Sequence, residues 1–316
     1  MIATCRVCEL PAEHLLGAYA LCERHYALAT RERRGLWRVG LLAILGLFAL
    51  IVVAQLVSPL IPAGAQPSPA LFLAGIVLAI APAGVWLWLS YQQDRIEPEP
   101  RGMVLGVFAL GALLAAAIGV PLVRDVFDVS AWMLDDMLVR LVGGFLVVGM
   151  IQSLLKYVAV RFSVYASAEF DEATDGILYG TAAGLGYATV LNLDLILQSG
   201  GAALGFAAIQ VAVTALAHAA FGGVIGYFIS GQRLSRKPVW WSALGIVIAA
   251  ALTSLFHASR ALVIAGNASI GGVLIGPWLG LIVSAIFAAV AFGAVIAAVR
   301  REIRRLVAVD LGHAQP

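Results

Sequence analysis

The chain has 316 residues, 62% of them hydrophobic and 12% charged, with a mean hydropathy of +0.97. That balance excludes an ordinary soluble domain and requires long apolar runs. The net charge of +2 says little by itself, and no basic–aromatic pattern or Gly-rich phosphate loop points to nucleic acid or nucleotide.

Residues 1–35 are polar. They carry Cys5-Arg-Val-Cys8 and, thirteen residues on, Cys22-Glu-Arg-His25. Two ligand pairs, each with two residues between, can wrap opposite faces of one tetrahedral ion. Thiolates and imidazole are the ligands Zn²⁺ prefers. The pattern resembles small zinc-ribbon or knuckle modules. So short a segment cannot bury enough apolar surface to fold alone, and metal would supply its folding free energy. The competing reading is a disordered tail with free cysteines. Four ligands at paired spacing favour a structural Zn on Cys5, Cys8, Cys22 and His25, with His14 a weaker candidate. These 35 residues lack an apolar core and are rich in charge, so no secretory signal peptide is expected.

Eight apolar segments follow, near 38–58, 70–90, 103–123, 139–160, 176–197, 202–229, 239–260 and 272–299. At about 1.5 Å per residue each is long enough to cross about 30 Å of hydrocarbon. The predicted fold class is an all-α polytopic membrane protein of about eight transmembrane helices with a small zinc-binding N-terminal module. The domains are 1–35, a cytosolic zinc-binding module; 36–300, the transmembrane domain; and 301–316, a basic cytosolic tail. Pro82, Pro121 and Pro277 fall within spans and predict kinks. Gly180/Gly184, Gly222/Gly226 and Gly276/Gly280 have the small-xxx-small spacing of closely packed membrane helices.

An even number of spans puts both termini on one side. If that side is the cytoplasm, it collects all of the 20 Lys and Arg except Arg124, Arg140 and Arg260. The expected location is the cell membrane, multi-pass, with both termini cytoplasmic. The three cysteines all lie in the first 22 residues. A reducing cytosol suits their thiolates.

Between Gly149 and Asp194 two apolar segments flank a polar turn with Glu169, Asp171, Glu172 and Asp175. The second segment spaces Gly180, Ala183, Gly184 and Gly186 closely and ends near Asn192 and Asp194. Ionisable groups inside a bilayer are costly and mark candidate sites. Here they are Lys156, Asp194, His218 and His257, with Gln152, Ser153 and Asn192 as polar neighbours. The bland readings compete: Lys156 snorkelling to water, Asp194 at the outer interface near Gln198, and His218 hydrogen-bonded to a neighbouring helix.

The stretch resembles the PrsW family of intramembrane proteases. The motifs are Phe170-Asp171-Glu172, Asp175-Gly176-Ile177-Leu178-Tyr179-Gly180, Gly184-Leu185-Gly186-Tyr187-Ala188 and Asn192, with Asp94 and Glu97-Pro98-Glu99-Pro100 upstream. The resemblance implies a Glu-Glu pair followed two residues later by Lys, an aromatic with Glu four residues on, and His with Asp four residues on. It implies metal-dependent or glutamate-dependent proteolysis. In this chain Gln152-Ser153 stands before Lys156, Leu191 follows Tyr187, and Ala261 follows His257. The four carboxylates of the motif are therefore replaced.

The remnant site is Gln152, Ser153, Lys156, Leu191, Asn192, His218 and His257, with no catalytic metal expected. Ser153 and Lys156 share a helix face, the spacing of a Ser/Lys nucleophilic pair. Straight helices place Gln152 far deeper than His257, so tilted or broken helices would be needed to join them.

The wider superfamily implied by the resemblance includes CaaX-processing membrane proteases and the non-catalytic scaffold subunit of γ-secretase. The expected function is that of a proteolytically inactive PrsW-like scaffold or regulator, in contact with the lipid bilayer and with another membrane protein, and not with nucleic acid. The alternatives are an active intramembrane peptidase cutting a membrane-anchored regulator and, with less support, a transporter.

Overall fold

The computed structural model describes residues 69–93, 99–133, 136–198 and 204–265 continuously, with most of 4–30 and scattered residues of 45–56 and 269–301. It is helical apart from short hairpins. In the N-terminal module β1 (His14–Leu16) pairs antiparallel with β2 (Tyr19–Leu21), and α1 (Glu23–Thr30) follows at once. The membrane part comprises α2 (Pro69–Gln93), α3 (Arg101–Val126), the short α4 (Val129–Trp132), α5 (Met137–Ser163), α6 (Ala173–Gln198), α7 (Leu204–Leu234) and α8 (Trp240–Ala265). A small hairpin, β3 (Ser269–Ile270) with β4 (Val273–Leu274), lies beyond.

Among the described residues, five helices are long and apolar enough to cross a membrane: α3, α5, and the spans Thr174–Gln198, Ala207–Leu234 and Trp240–Ser259. The described apolar part of α2, Phe72–Trp88, is shorter. Six of the eight predicted segments thus coincide with helices. Most of 38–58 and of 272–299 lies outside the described residues, as do Pro277, the Gly276/Gly280 pair, the 301–316 tail after Arg301 and the upstream motif residues Asp94, Glu97 and Pro98.

The bundle is built around α6 and α7. Of the apolar window of α7, 89% is buried in the protein, against 28% for α3 and α5. The cause is the glycine pattern. A side chain at Gly180 would run into the Gly222 carbonyl oxygen, and one at Gly222 into that of Gly180. Two backbones meet where no Cβ intervenes, so dispersion between main chains replaces side-chain packing. α3 and α2 pack on α6, α8 on α7, and α5 against α8. The outer helices turn Leu105, Leu113, Leu138, Leu146, Val247 and Leu255 outward, the faces that meet lipid.

Pro121 does not break α3. It sits between two π-helical turns, Ala115–Gly119 and Leu122–Val126. Widened turns give the pyrrolidine ring room and absorb its missing N–H. A third π turn, Gly144–Gly149, widens α5, where a side chain at Gly149 would strike the Ala250 carbonyl of α8. Pro82 is likewise inside a continuous helix.

The polar turn between α5 and α6 is ordered by its own carboxylates. Asp175 accepts from the backbone N–H of Asp171 at 2.8 Å and of Glu172 at 2.5 Å, a helix N-terminal cap folded into the first turn of α6. Arg233, at the end of α7, donates to the Ser167 carbonyl at 2.6 Å and lies over the Phe170 ring. The hydroxyl of Tyr179 donates to Glu99 at 2.5 Å, both groups being buried. That bond ties the Glu99-Pro100 loop to the second motif.

Candidate functional site

Two polar sites are present, and they differ in kind. The first is in the N-terminal module. Cys5 and Cys8 lie in the loop before β1, Cys22 immediately precedes α1, and His25 is in its first turn. His25 Nδ1 is 3.5 Å from Cys5 Sγ and 3.3 Å from Cys22 Sγ, and Cys8 Sγ is 3.7 Å from Cys22 Sγ. The four ligand atoms all lie within 4.8 Å of one another. Four ligands at about 2.3 Å (sulfur) and about 2.0 Å (nitrogen) from one ion are spaced much like this, so the set fits a tetrahedral metal.

All three cysteines are free thiols. The Leu10 backbone N–H pulls the Cys8 thiol down, but desolvation and the Cys22 and Cys5 sulfurs prevail and hold it above its ordinary value. Crowded sulfurs resist taking up negative charge together, and a cation between them removes that penalty. His14 is not in the set: it contacts Glu23 at 2.5 Å and stacks on Tyr26 at 4.2 Å.

The second site is a cavity of about 290 Å³ among α6, α7 and α8. α6 contributes Leu191, Asn192, Asp194, Leu195 and Gln198; α7 contributes Gln210, Thr214 and His218; α8 contributes Phe256 and His257. Asn192 is fixed by donating to the Val211 carbonyl at 3.2 Å and the Ala79 carbonyl at 3.5 Å. Asp194 accepts from Gln198 at 2.6 Å and from Arg124 at 3.3 Å, so the expected neighbour Gln198 holds it together with Arg124.

Four of the seven predicted remnant residues, Leu191, Asn192, His218 and His257, thus share one cavity. α8 continues eight residues past His257 to Ala265, about 12 Å of helix, while its apolar span closes at Ser259, two residues after His257. Side chains of residues 260–278, Ala261 included, lie outside the described residues.

Gln152, Ser153 and Lys156 are buried on α5 and do not line the cavity. Lys156 does not snorkel to water as its place near a helix end predicts. It is fully buried, with Nζ 5.3 Å from the centroid of the Tyr187 ring. The reason is side-chain direction: on a helix, side chains lean toward the N-terminus, and for Lys156 that is toward the bundle centre. Tyr187 in turn stacks on His218, centroids 5.5 Å apart.

Gln210, Thr214, Leu195 and Phe256 escape a reading based on ionisable groups. A signal for two of them exists. Gln210, Thr214 and His218 recur every four residues, which lines up one polar stripe on α7.

Comparison with known proteins identifies the architecture. A family model described as "PrsW family intramembrane metalloprotease" matches residues 99–295. The chain belongs to the PrsW family. It is 31% identical over 192 residues to Protease PrsW of Bacillus subtilis, covering 58% of this chain and 79% of that protein. It is 28% identical over 185 residues to Protease PrsW of Halalkalibacterium halodurans, covering 58% and 81%. The Oceanobacillus iheyensis protein of the same name is 25% identical over 190 residues, covering 60% and 82%. No solved structure matches the chain. The family match begins at Glu99, so the Cys/His module lies outside it.

The family description names a metalloprotease, and the cavity can be tested against that. A hydrolytic zinc ion takes three protein ligands and keeps one position open. Among the described residues, the cavity supplies two imidazoles and one carboxylate, and Arg124 and Gln198 already occupy the carboxylate. No group of three His, Cys, Asp or Glu ligand atoms converges there among the described residues. These side chains do not fit a catalytic metal.

Proposed function

We propose that this PrsW-family protein has exchanged proteolysis for binding, and acts as a scaffold or regulator that holds another membrane protein. The observation that carries the reading is the replacement of acids at the positions the family motif marks. Leu191 projects into the cavity where a carboxylate is implied, and Gln152 and Ser153 precede Lys156 in place of two more. A glutamine cannot act as a general base near neutral pH, and a leucine can neither ligate a metal nor orient water. The packed α6–α7 centre supports retention of the helical framework.

The N-terminal module is proposed to bind one structural Zn²⁺ through Cys5, Cys8, Cys22 and His25 and to stand in the cytoplasm. The protein is proposed to lie in the cell membrane with both termini on that side. The distribution of basic residues supports this topology. Reporter fusions after residues 65 and 199 are expected to read outside, and one at 235 cytoplasmic. A cytoplasmic signal at 65 removes the eight-span topology.

A second reading, an active intramembrane peptidase, draws on the cavity in which His218, His257 and Asn192 stay together and on the names of the relatives. Incubation of the purified protein with single-span substrates in detergent and in liposomes, read by mass spectrometry, separates the two. No specific product is expected.

A further inference from the structure

The side chain of Lys156 is fully buried, and among the described residues no carboxylate stands beside it. Its Nζ makes no hydrogen bond. On α5, Gln152 Oε1 and Ser153 Oγ, four and three residues before Lys156 and so each its neighbour on the helix surface, are also buried without a hydrogen-bond partner among the described residues. A charge removed from water is retained where something of opposite sign compensates it. Within a membrane it marks the place of a partner.

The acid at the cavity rim does not serve, because Arg124 and Gln198 hold Asp194. The bundle interior therefore holds an amine that no acid among the described residues compensates, and an anion brought beside it would favour its charged form. From Lys156 the contacts run to the Tyr187 ring and from Tyr187 to His218, which is part of the cavity wall. The polar side chains of Gln210, Thr214 and His257 belong to the same wall. A neutral guest would leave the ammonium as it is; an anion complements it.

We propose that the α6–α7–α8 cavity is a receptor for a carboxylate, the Asp or Glu side chain of a partner's transmembrane helix, with the charge supplied by Lys156 behind Tyr187. This rests on the partner-binding reading above and names the chemistry by which the partner is recognised. Lys156 is a positioning residue: it makes the cavity attractive to a negative charge and need not itself touch it.

The test uses the full chain in neutral phosphatidylcholine nanodiscs. Two single-span Leu/Ala peptides are compared by fluorescence transfer, one with a central Glu and its twin with Gln. The wild type is expected to bind the Glu peptide at least about ten-fold more tightly. Lys156→Met is expected to bind both equally and Lys156→Arg to keep the preference. Lys156→Met removes a buried charge, so its unfolding midpoint is expected at or above that of the wild type. Should that variant fail to fold, the Glu/Gln ratio of the wild type decides alone.

Equal affinity of the wild type for the two peptides overturns the carboxylate inference and leaves the helix-binding reading standing. Binding of neither overturns both. Competition by oleate but not oleyl alcohol, with no Glu/Gln preference, assigns the carboxylate to a free fatty acid and overturns the helix as its source. Persistence of the preference in Lys156→Met, with that variant folded, overturns the role of Lys156.

Discussion

The N-terminal module and the membrane bundle invert each other. The module has a complete ligand set and almost no core: Cys5 and Cys22 are buried, while Leu10 and Leu15 lie exposed. The bundle has an extensive core, with Tyr179, Phe170, Phe221 and Phe256 fully enclosed, and a cavity without a ligand triad. In one region side chains that bind an ion would make the fold. In the other the fold is made by packing, and the polar residues are carried at a cost. Stability in the bundle therefore does not require its site to be functional, whereas in the module site and fold would stand or fall together if the proposed metal is bound.

The largest effect is expected where the two are inseparable. Cys22→Ser removes one of the four ligands proposed to hold a metal, and metal binding supplies about 10–16 kcal/mol of folding free energy in zinc peptides. Elemental analysis is expected to fall from one zinc per chain to near none. Helical circular dichroism of the bundle is expected to hold, because no cysteine lies there. Full metal retention in this variant removes the zinc assignment. Parallel loss of the bundle's helix signal breaks the claimed independence of the two regions.

Next is the bundle's own weak point. Gly222→Leu drives a side chain into the Gly180 backbone, which cannot swing aside as a side-chain end would. Overpacking of this kind is expected to cost about 3 kcal/mol or more, seen as a lower unfolding midpoint in detergent. Gly84→Ala is the control, since nothing stands within 4 Å of the added methyl, and it is expected to leave the midpoint in place. A smaller change is expected for Asp194→Asn. The pair with Arg124 is partly exposed, at 53% and 31% of the two side chains, so its loss is expected to cost under about 1 kcal/mol.

The sequence marks what depends on length and composition. Six apolar segments coincide with helices because span length is set by bilayer thickness alone. Cys5, Cys8, Cys22 and His25 converge because paired spacing leaves little choice of geometry. What depends on how one helix is rotated against another is harder to see. Lys156 points inward to Tyr187 instead of out to water, and Phe256 reaches the cavity from a third helix. The π turns around Pro121 are also absent from any apolar pattern, because they answer a local clash. The Gln210–Thr214–His218 stripe was readable, since one helix suffices to define it.

The smallest effect expected is none at all, and it bears most directly on what the bundle does. His257 lines the cavity with His218, and in an active site its loss would abolish turnover. If the missing acids have ended catalysis, His257→Ala and Ser153→Ala are each expected to match the wild type in a cleavage assay, because no activity remains to be lost. Restoring Gln152→Glu, Ser153→Glu, Leu191→Glu and Ala261→Asp together sharpens the point only in one direction. Gained cleavage ties inactivity to those four positions. Continued silence says little, since four added acids in a packed interior also destabilise it unless each finds a donor. The wild type is thus the deciding sample. A specific cut in a single-span substrate that disappears with His257→Ala or Ser153→Ala establishes an active peptidase and overturns the scaffold reading. That outcome would also erase the contrast between the two regions, because both would then hold working sites.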